Sequence, residues 1–556
     1  MTKITRRSAL FGGVALGGLN LGACTDDSPK YKVAFHHGVA SGDPTHNSVI
    51  LWSRITPEQD GPLTVHWQIS ENPEFRKKHG LAKHGKTTTS AARDYTVKVD
   101  ATGLKPGTTY YYRFLVGKTV SPVGRTRTLP KGRTERARLA VVSCSNYPFG
   151  YFNVYDHIAK QDGIDVVVHL GDYFYEYGRD GYGGKTGRKL GREHEPAHEV
   201  VTLADYRARH AQYKADTASQ AVHAAHPFIC IWDDHETANN SWKTGAENHG
   251  ADEGSWDDRR AAAMQAYYEW MPVRDPVPGR PREALYRAFE FGDLFSLDVL
   301  ETRLTARSRQ IDYAQYIDSF KTRAGVEDFV KNILWDRDRE MLGADQRRFL
   351  AERFQASRQA GKPWRLIANQ VIMGEILSPD LRDFEGTEAI EKIARYRPSI
   401  RKFVKFSPLG LPINLDAWDG YPAARERFYG LARKAGVEDL LVLTGDTHVS
   451  WLNGLRAKDG TPMGLELGVT GVTSPGHNAY FKELTGEFER RLVKKNRDMH
   501  FVQSAERGYI DLKIGRKTAR ADFVSVSTTH SPDYKAHTAK SFEIAKSGKT
   551  LKARSV

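Results

Sequence analysis

Short apolar runs alternate with polar stretches along most of the chain after about residue 137. Four of these runs are rich in valine, isoleucine and leucine, at residues 139–143, 166–170, 228–232 and 440–444. Uninterrupted runs of this length are typical of strands that are buried on both faces of a parallel sheet. Segments 202–216 and 257–271 instead show helical periodicity, and Pro272 marks the end of the second segment. The alternation predicts an α/β layered fold.

The first part of the chain has a different texture, with short strand-like runs separated by glycine, proline and asparagine from residue 31 to residue 129. Within it, residues 104–113 (LKPGTTYYYR) resemble the turn and tyrosine corner of fibronectin type III domains. We therefore expect a fibronectin-like β-sandwich over residues 31–129, a polar linker at 130–138 and a catalytic domain over residues 137–535. The basic segment 536–556 is expected to be a C-terminal tail, either a surface helix or disordered.

Residues that can bind metal ions follow the end of each apolar run. They are Cys144 after the first run, Asp172 and Tyr175 after the second, Asp233, Asp234 and His235 after the third, and Asp446 and His448 after the fourth. An aspartate in this place is most often the N-cap of the next helix, but helix caps do not require cysteine, tyrosine and histidine. Because the carboxyl ends of parallel strands meet at one edge of a sheet, we expect these side chains to form a shared metal centre.

The donor types indicate which ions such a centre would bind. Cys144 as a thiolate and Tyr175 as a phenolate favour Fe(III). Asp172 is placed to bridge two ions, which about 3.5–4 Å apart would clamp phosphate oxygens and lower the pKa of water. His235 is placed to contact a phosphate or to protonate a leaving oxygen. The candidates for a second, divalent ion are Asp234, Asp446 and His448.

Charge and composition narrow the classes of partner. The 556 residues include 82 lysines and arginines against 68 acidic residues, a formal net charge of +14 that is scattered along the chain. Such an excess favours the capture of anionic substrates. No zinc-finger spacing, RNA-binding signature or long basic tract is present, so no specific nucleic-acid partner is expected. Two segments are expected near the site: 377–422, and the glycine-rich 178–195, which is either a solvated surface loop or an anion-gathering lid.

The first residues have the pattern of a targeting segment. Arg6-Arg7 precedes a glycine-diluted apolar stretch at 9–23, which resembles a twin-arginine export signal. The sequence LGAC at 21–24 resembles a lipoprotein cleavage box. We expect residues 1–23 to be a signal peptide read by the twin-arginine (Tat) export machinery. Cys24 is then either a lipidated membrane anchor or a coincidental cysteine, and Cys230, inside an apolar run, is expected to be a buried free thiol.

The motifs at the strand ends also resemble those of a known family. They are Ser143-Cys144, Gly171-Asp172-x-x-Tyr175, WDDHE at 232–236 followed by Asn239-Asn240, and Gly445-Asp446-Thr447-His448. Together with HGVASGDP at 37–44, WDGYPAAR at 418–425 and VTSPG at 472–476, they resemble the PhoD-type alkaline phosphatases. These are exported metallophosphoesterases, related to purple acid phosphatases, that have a fibronectin-like N-terminal domain.

The resemblance implies a role for each matching residue. Iron, Fe(3+), would be held by Cys144, Asp172, Tyr175 and either Asp446 or His448. Calcium, Ca(2+), would be held by Asp172, Asp234 and Asn240. His235 would be the catalytic residue and, with Asn240, would bind the phosphate of the substrate.

The leading interpretation is an exported, periplasmic or membrane-anchored enzyme that hydrolyses phosphomonoesters, and phosphodiesters as well, through metal-activated water. A phospholipase D of the same superfamily is a second interpretation. A cell-envelope binding protein with a purely structural metal site is a third. Structural sites are normally closed by protein ligands, whereas catalytic sites keep positions open for water. The sequence has no serine motif like that of the zinc alkaline phosphatases, which disfavours a covalent phosphoserine.

Overall fold

The computed structural model describes residues 29–75, 81–395 and 397–556. The predicted signal peptide 1–23 and Cys24 lie outside the described residues. Two large mixed sheets organise the rest. From edge to edge, the ten-stranded sheet consists of Thr550–Ser555, Ala536–Ser547, Thr518–Val526, Arg507–Gly515, Arg136–Val142, Val166–His169, Phe228–Cys230, Val39–Gly42, Ser48–Arg54 and Thr96–Thr102. The seven-stranded sheet consists of Arg287–Phe291, Phe295–Val299, Trp364–Ala368, Leu440–Thr444, Pro462–Gly468, Ser450–Arg456 and Met499–Gln503.

The four predicted strands are confirmed, and they divide between the two sheets. Arg136–Val142, Val166–His169 and Phe228–Cys230 lie side by side and parallel in the ten-stranded sheet, whereas Leu440–Thr444 lies in the other sheet. The two sheets share one hydrophobic core, which includes Val141, Val168 and Ile229 from the first and Leu297 and Leu441 from the second, each at most 1% exposed. Burial on both faces explains why these strands lack polar alternation.

Helices cover the sheets and connect the strands. They are Asn153–Ala159, Gly184–Leu190, Leu203–Ala215, Thr217–Ala225, Trp256–Trp270, Arg323–Asp328, Gly343–Gln359, Glu388–Ala394, Ser399–Phe406, Pro422–Lys434, Asn478–Phe481 and Thr485–Lys495. Both predicted helices are confirmed. The first begins at a capping box in which Thr202 and Asp205 satisfy each other's backbone amides. In the described part of the chain, no helix combines the length and apolar character needed to cross a bilayer.

The N-terminal region forms the expected β-sandwich. One layer is a five-stranded sheet of Gly124–Arg127, Thr109–Val116, Leu63–Ser70, Lys83–Thr89 and Thr119–Val120, and a small pair of strands, Val33–Ala34 and Thr56–Pro57, lies beside it. The Tyr110 hydroxyl accepts a hydrogen bond from the Lys105 amide, which completes the predicted tyrosine corner. The other layer consists of Val39–Gly42, Ser48–Arg54 and Thr96–Thr102, which belong to the ten-stranded sheet because Gly42 pairs with Phe228. The two regions are therefore joined by a common sheet as well as by a linker.

The C-terminal segment differs from the expectation. Residues 536–556 form the strands Ala536–Ser547 and Thr550–Ser555, which pair with each other and extend the ten-stranded sheet. Phe542, Ile544 and Leu551 are buried in the main core, whereas the lysines between them face outward. Both alternatives considered for this tail, a surface helix and a disordered segment, are wrong. The boundary predicted at residue 535 also cuts through the sheet.

Candidate metal centre

The predicted site residues come together where the carboxyl ends of strands from both large sheets meet. The loops that carry them approach so closely that two glycines are required. A Cβ atom at Gly171 would lie 2.4 Å from the Cβ of Asp233, and a Cβ at Gly445 would lie 2.7 Å from the Ser143 hydroxyl oxygen. Gly171 also has φ of +107°, a conformation that L side chains rarely adopt. Gly445 therefore allows strand ends of the two sheets to face each other, and Gly171 allows two neighbouring loops of the ten-stranded sheet to approach closely.

The backbone of the site residues is unusually strained. In the described chain ten non-glycine residues have positive φ, and five of these are Cys144, Asp172, Asn240, Asp446 and His448, with φ between 52° and 62°. Such left-handed conformations cost on the order of 1–3 kcal/mol each and persist only where the surrounding structure imposes them. The strain aims the side chains at one point, which is a property expected of a functional site and not of a helix cap.

Four donors form the first group, which we call the Cys144 group: Cys144, Asp172, Tyr175 and His448. The Cys144 sulfur, an Asp172 oxygen and a His448 nitrogen all lie within 4.8 Å of one another. The Tyr175 hydroxyl lies 3.1 Å from Asp172 Oδ2 and 3.0 Å from His448 Nε2. One phenol hydrogen cannot be donated to both acceptors, so lone pairs converge on the same space. This convergence fits a bound cation.

Carboxylates dominate the second group, which we call the carboxylate group: Asp172, Asp233, Asp234 and Asp446. In one set, the side-chain oxygens of Asp233, Asp234 and Asp446 lie within 4.8 Å of one another. In a second set, the same limit holds for an oxygen of Asp172, an oxygen of Asp234 and a ring nitrogen of His235. Oxygens Oδ1 of Asp172 and Oδ2 of Asp233 are buried and accept no hydrogen bond. Asp172 belongs to both groups, which agrees with its predicted bridging position.

Electrostatics in the two groups favour cation binding. Burial, together with the neighbouring carboxylates of Asp234 and Asp233, raises the pKa of Asp172 well above its usual range, although His235 opposes the shift. Burial also raises the pKa of the Cys144 thiol, and the Asp172 carboxylate adds to this effect. A bound metal ion would reverse both shifts, because its charge favours the anionic forms. The mixed sulfur, oxygen and nitrogen donors fit a transition metal, and the all-oxygen donors fit a hard divalent ion.

A buried arginine, Arg303, which the sequence did not predict, distinguishes the roles of the neighbouring residues Asp233 and Asp234. Arg303 Nε donates to Asp233 Oδ1 at 2.5 Å, and its Nη2 atom lies 3.5 Å from Asp234 and 3.6 Å from Asp446. Asp233 therefore has a protein cation as its direct partner, whereas Asp234 is the better candidate for a metal ligand. Arg303 follows another apolar strand, Phe295–Val299, so the same strand-end rule would have found it. Asp416, from the predicted overlying segment 377–422, also accepts from Arg303 at 2.7 Å.

His235 is positioned by a second residue that the sequence reasoning missed. Its Nδ1–H donates to Glu176 Oε2 at 2.7 Å, and its ring packs 4.1 Å from the Tyr175 ring between centroids. Although burial favours the neutral ring, the carboxylates of Asp234 and Glu176 raise the pKa of His235 well above its usual value. The bond to Glu176 leaves Nε2 free to face the site. Glu176 directly follows Tyr175 in the chain, which was the only signal available for it.

Asn240 reaches the site mainly through its backbone. Its amide donates to Asp234 Oδ2 at 2.6 Å, and its side-chain amide donates to Glu247 at 2.5 Å. Gln310 holds the Asn240 carbonyl from the other side at 3.2 Å. Asn240 thus orients Asp234, and its predicted contacts with calcium and phosphate stay predictions.

The glycine-rich segment 178–195 packs beside the site as an ordered element. It contains the helix Gly184–Leu190, and its arginines are paired. Arg179 pairs with Glu195 and Arg188 with Asp180 within the segment, and Arg192 pairs with Asp216 outside it. The segment places the Tyr182 ring 6.0 Å from the Tyr175 ring between centroids. Because these arginines are already paired, this geometry favours the surface-loop alternative over the anion-gathering lid.

Comparisons with known proteins agree with this geometry. Residues 139–523 match the model of the PhoD-like phosphatases, and residues 22–130 match the model of the PhoD-like phosphatase N-terminal domain. Alkaline phosphatase D of Bacillus subtilis (strain 168) is 34% identical over 545 residues, which cover 93% of this chain and 84% of that protein. The solved structure of PhoD superposes with a TM-score of 0.76 and 31% identity, covering 93% of this chain and 92% of that one. The chain therefore belongs to the PhoD-like phosphatase family, as its strand-end motifs indicated.

Proposed function

We propose that this protein is a metal-dependent phosphatase that hydrolyses phosphomonoesters and also accepts phosphodiesters. The observation that carries the proposal is the pair of donor groups that share Asp172 beside the free Nε2 of His235. The site also reaches solvent, because the side chain of Asp446 is 16% exposed. A purely structural metal site is normally closed by its protein ligands, so this opening favours catalysis.

Each donor group has a role in this proposal. Cys144, Asp172, Tyr175 and His448 would hold Fe(3+), and Asp172, Asp234 and Asp446 would hold Ca(2+), with Asn240 orienting Asp234. Bound ions of this kind supply Lewis acidity, which activates water and neutralises charge on phosphate oxygens. Arg303 fixes the spacing of the aspartates from behind, because its guanidinium faces Asp233, Asp234 and Asp446.

His235 is the proton donor or phosphate contact in this proposal. The Glu176 carboxylate accepts the Nδ1–H bond, fixes the plane of the imidazole and, with Asp234, favours the protonated ring that carries a hydrogen on Nε2. Nε2 is then the nitrogen that faces the substrate. From this position it can donate to a phosphate oxygen or protonate the leaving alkoxide.

Metal analysis combined with a set of substrates tests the proposal. The purified protein should contain iron and calcium, absorb visible light through thiolate or phenolate charge transfer, and turn over 4-nitrophenyl phosphate and bis(4-nitrophenyl) phosphate. Chelation should abolish turnover, and return of the ions should restore it. A colourless, iron-free and fully active protein would exclude the iron assignment. Bound metals without turnover of either ester would favour a structural site, and release of choline from phosphatidylcholine would favour a phospholipase D.

We further propose that the chain is exported by the twin-arginine machinery and that a lipid on Cys24 anchors it. Metal bound by four separated segments requires folding before transport, which this route permits, and Arg6-Arg7 supports the assignment. Replacing both arginines by lysine should retain the precursor in the cytoplasm, whereas normal export of that variant would contradict the route. Cys24→Ser should abolish labelling by a radioactive fatty acid; persistent labelling would contradict the anchor.

A further inference from the structure

One loop contacts every donor of the Cys144 group except Asp172. This loop, the 472–476 segment, has the sequence VTSPG. The Ser474 hydroxyl donates to the Tyr175 oxygen at 2.8 Å, and His448 Nδ1–H donates to the Pro475 carbonyl at 3.0 Å. The backbone amides of Thr473 and Ser474 donate to the Cys144 carbonyl at 3.4 and 3.3 Å. The segment therefore determines where the phenol oxygen and His448 Nε2 point.

Arg507 holds this segment in place. Its Nη1 atom donates to the carbonyls of Ser474 at 2.5 Å and of His448 at 3.1 Å. Its Nη2 atom donates to the Ser504 carbonyl and lies 3.4 Å from Asn478 Oδ1. A single planar guanidinium thus joins the 472–476 segment to the loop that carries His448.

The charge of Arg507 has no ordinary partner. The side chain is buried, with 7% of the residue exposed. Among the described residues its guanidinium donates to backbone carbonyls and to Asn478 Oδ1, and not to a carboxylate. Burial of an unpaired cation is costly, and here burial lowers the pKa of Arg507 to about 10. The Tyr182 phenol, the Cys144 thiol and the Glu506 carboxylate partly oppose this lowering of the pKa.

We infer that Arg507 is a positioning residue for the Cys144 group: it clamps the 472–476 segment to the His448 loop and so fixes the orientation of Tyr175 and His448. This inference rests on the proposed function, because it concerns the same metal centre. It assigns no contact between Arg507 and the substrate.

Three variants and a control test the inference on purified, metal-loaded protein. Arg507→Met removes the clamp and the charge, Arg507→Lys keeps the charge, and Ser474→Ala removes only the hydroxyl that bonds Tyr175. Arg365→Met is the matched control, because Arg365 is also buried but pairs with Asp439 at the far end of the strand Trp364–Ala368. The control reports the general cost of losing a buried arginine.

The expected results separate positioning from simple stability. Arg507→Met should move the charge-transfer band to longer wavelength, lower the iron midpoint potential, and reduce kcat about 10–100-fold, the range found for residues that orient metal ligands, with KM unchanged. Arg507→Lys should recover part of each change. Ser474→Ala should reproduce the band shift with a smaller loss of kcat. Arg365→Met should lower the melting temperature and leave the band in place.

Wild-type values of band, potential and kcat in folded Arg507→Met would overturn the inference, and so would equal changes in the Arg365→Met control. If Arg507→Met does not fold, Ser474→Ala decides, since an unshifted band there removes the proposed link to Tyr175. If the wild-type protein contains no iron, the metal assignment fails separately. The readout is then affinity for whichever ion restores turnover: about 10–100-fold weaker binding in Arg507→Met supports positioning, and unchanged binding overturns it.

Discussion

Asp172 and Tyr173 are adjacent in the chain, yet their side chains belong to two different buried clusters of ionisable residues. Asp172 lies in the metal centre. Tyr173 faces the other way, with its ring centroid 4.8 Å from Lys214 Nζ and its hydroxyl 3.0 Å from His223 Nε2. We call this second set the Lys214 cluster; it comprises Lys214, His223, Tyr173, His210, His169 and Cys230.

The two clusters differ in how their buried ionisable groups avoid uncompensated charge. Lys214 donates to His223 at 2.8 Å and lies over the Trp52 ring at 5.3 Å, and no described carboxylate lies within ion-pairing distance. Burial lowers the pKa of His223 and of His210 well below the usual value, so both rings are neutral. The cluster reduces its charge by titration. The metal centre instead keeps converging carboxylates and strained backbone, and a bound cation would add to the positive charge that Arg303 already supplies there.

This difference shows which features identify a site. Buried, perturbed ionisable groups occur in both places, so a shifted pKa alone does not distinguish them. Positive φ at five donor-bearing residues and oxygens without hydrogen bonds occur together only at the metal centre among the residues described. Substitutions in the centre should therefore change activity, and substitutions in the Lys214 cluster should change stability.

The largest effect is expected from Asp172→Asn, which removes the carboxylate common to both donor groups. We expect kcat to fall on the order of 10³-fold or more, because charge stabilisation at the reacting phosphate is lost. Iron and calcium contents should fall together. Burial raises the pKa of Asp172 in the metal-free protein, so its ionisation destabilises the fold as pH rises. The metal-free variant should therefore be at least as stable as metal-free wild type at pH 9.

Asp165→Asn is the control for this prediction, because Asp165 lies just before the same strand, at its opposite end, and pairs with Arg127. Its turnover and metal contents should match the wild type. Normal metal contents and turnover in Asp172→Asn, measured by elemental analysis and by phosphate release, would show that the two groups do not share a ligand.

His235→Ala should give the next largest effect on turnover. Metal content should persist while kcat falls by about 10²–10⁴-fold, the loss expected for a positioned proton donor. Leaving groups refine the assignment, because an alkoxide needs protonation and a nitrophenolate does not. A larger defect on an alkyl phosphate than on 4-nitrophenyl phosphate indicates a general acid, and equal defects indicate phosphate binding. No defect on either substrate, with metals bound, would remove His235 from the active site.

Much of the catalytic fold was predictable because its strands are buried on both faces and leave uninterrupted apolar runs. The donors were predictable because they directly follow those runs. Arg303 follows a strand end as well and was overlooked. Arg507 was not predictable, because an arginine is expected on the surface unless the topology surrounds it with acceptors. The division of four strands between two sheets depends on long-range pairing, which local pattern does not encode.

The C-terminal strands were missed for a different reason. The buried Phe542 and Ile544 are separated by the less buried Glu543, and the high basic content of the segment concealed this period of two. Gly548, with φ of +65°, forms the turn between the two strands. The turn glycine and the alternating apolar residues were present in the sequence, but the many basic residues of the segment favoured the prediction of a C-terminal tail.

Lys214→Met tests the other side of the comparison. Burial lowers the pKa of Lys214 to about 7, and Cys230 slightly opposes the shift. Between that value and its unfolded value near 10.5, the folded state binds fewer protons than the unfolded state, so stability rises with pH across this window. The variant should thus be more stable than wild type at pH 7, by about 5 kcal/mol at most, and the difference should shrink towards pH 10.

The measurement for Lys214→Met is the free energy of unfolding in denaturant at several pH values, with turnover assayed in parallel. The neutral histidines and the Tyr173 phenol that face Lys214 stay in place, and His223 keeps its bond to Tyr173. Turnover of the folded variant should match the wild type. A stability difference that does not depend on pH would contradict the titration of Lys214.

The smallest effect is expected from Cys230→Ala, which contrasts the two buried, unpaired cysteines of the described chain. Burial raises the pKa of Cys230 to about 12, so it remains a neutral thiol that packs like a small apolar side chain. Its loss should cost about 1 kcal/mol of stability, as for deletion of one buried heavy atom, with no change in metal content or visible absorption. Cys144→Ala should remove a donor of the centre and therefore weaken and shift the visible charge-transfer band. The two thiols are equally buried. If only Cys144→Ala changes the visible spectrum, then convergence with other donors, and not burial, makes a cysteine a ligand. A changed visible spectrum in Cys230→Ala would contradict the separation of the two clusters.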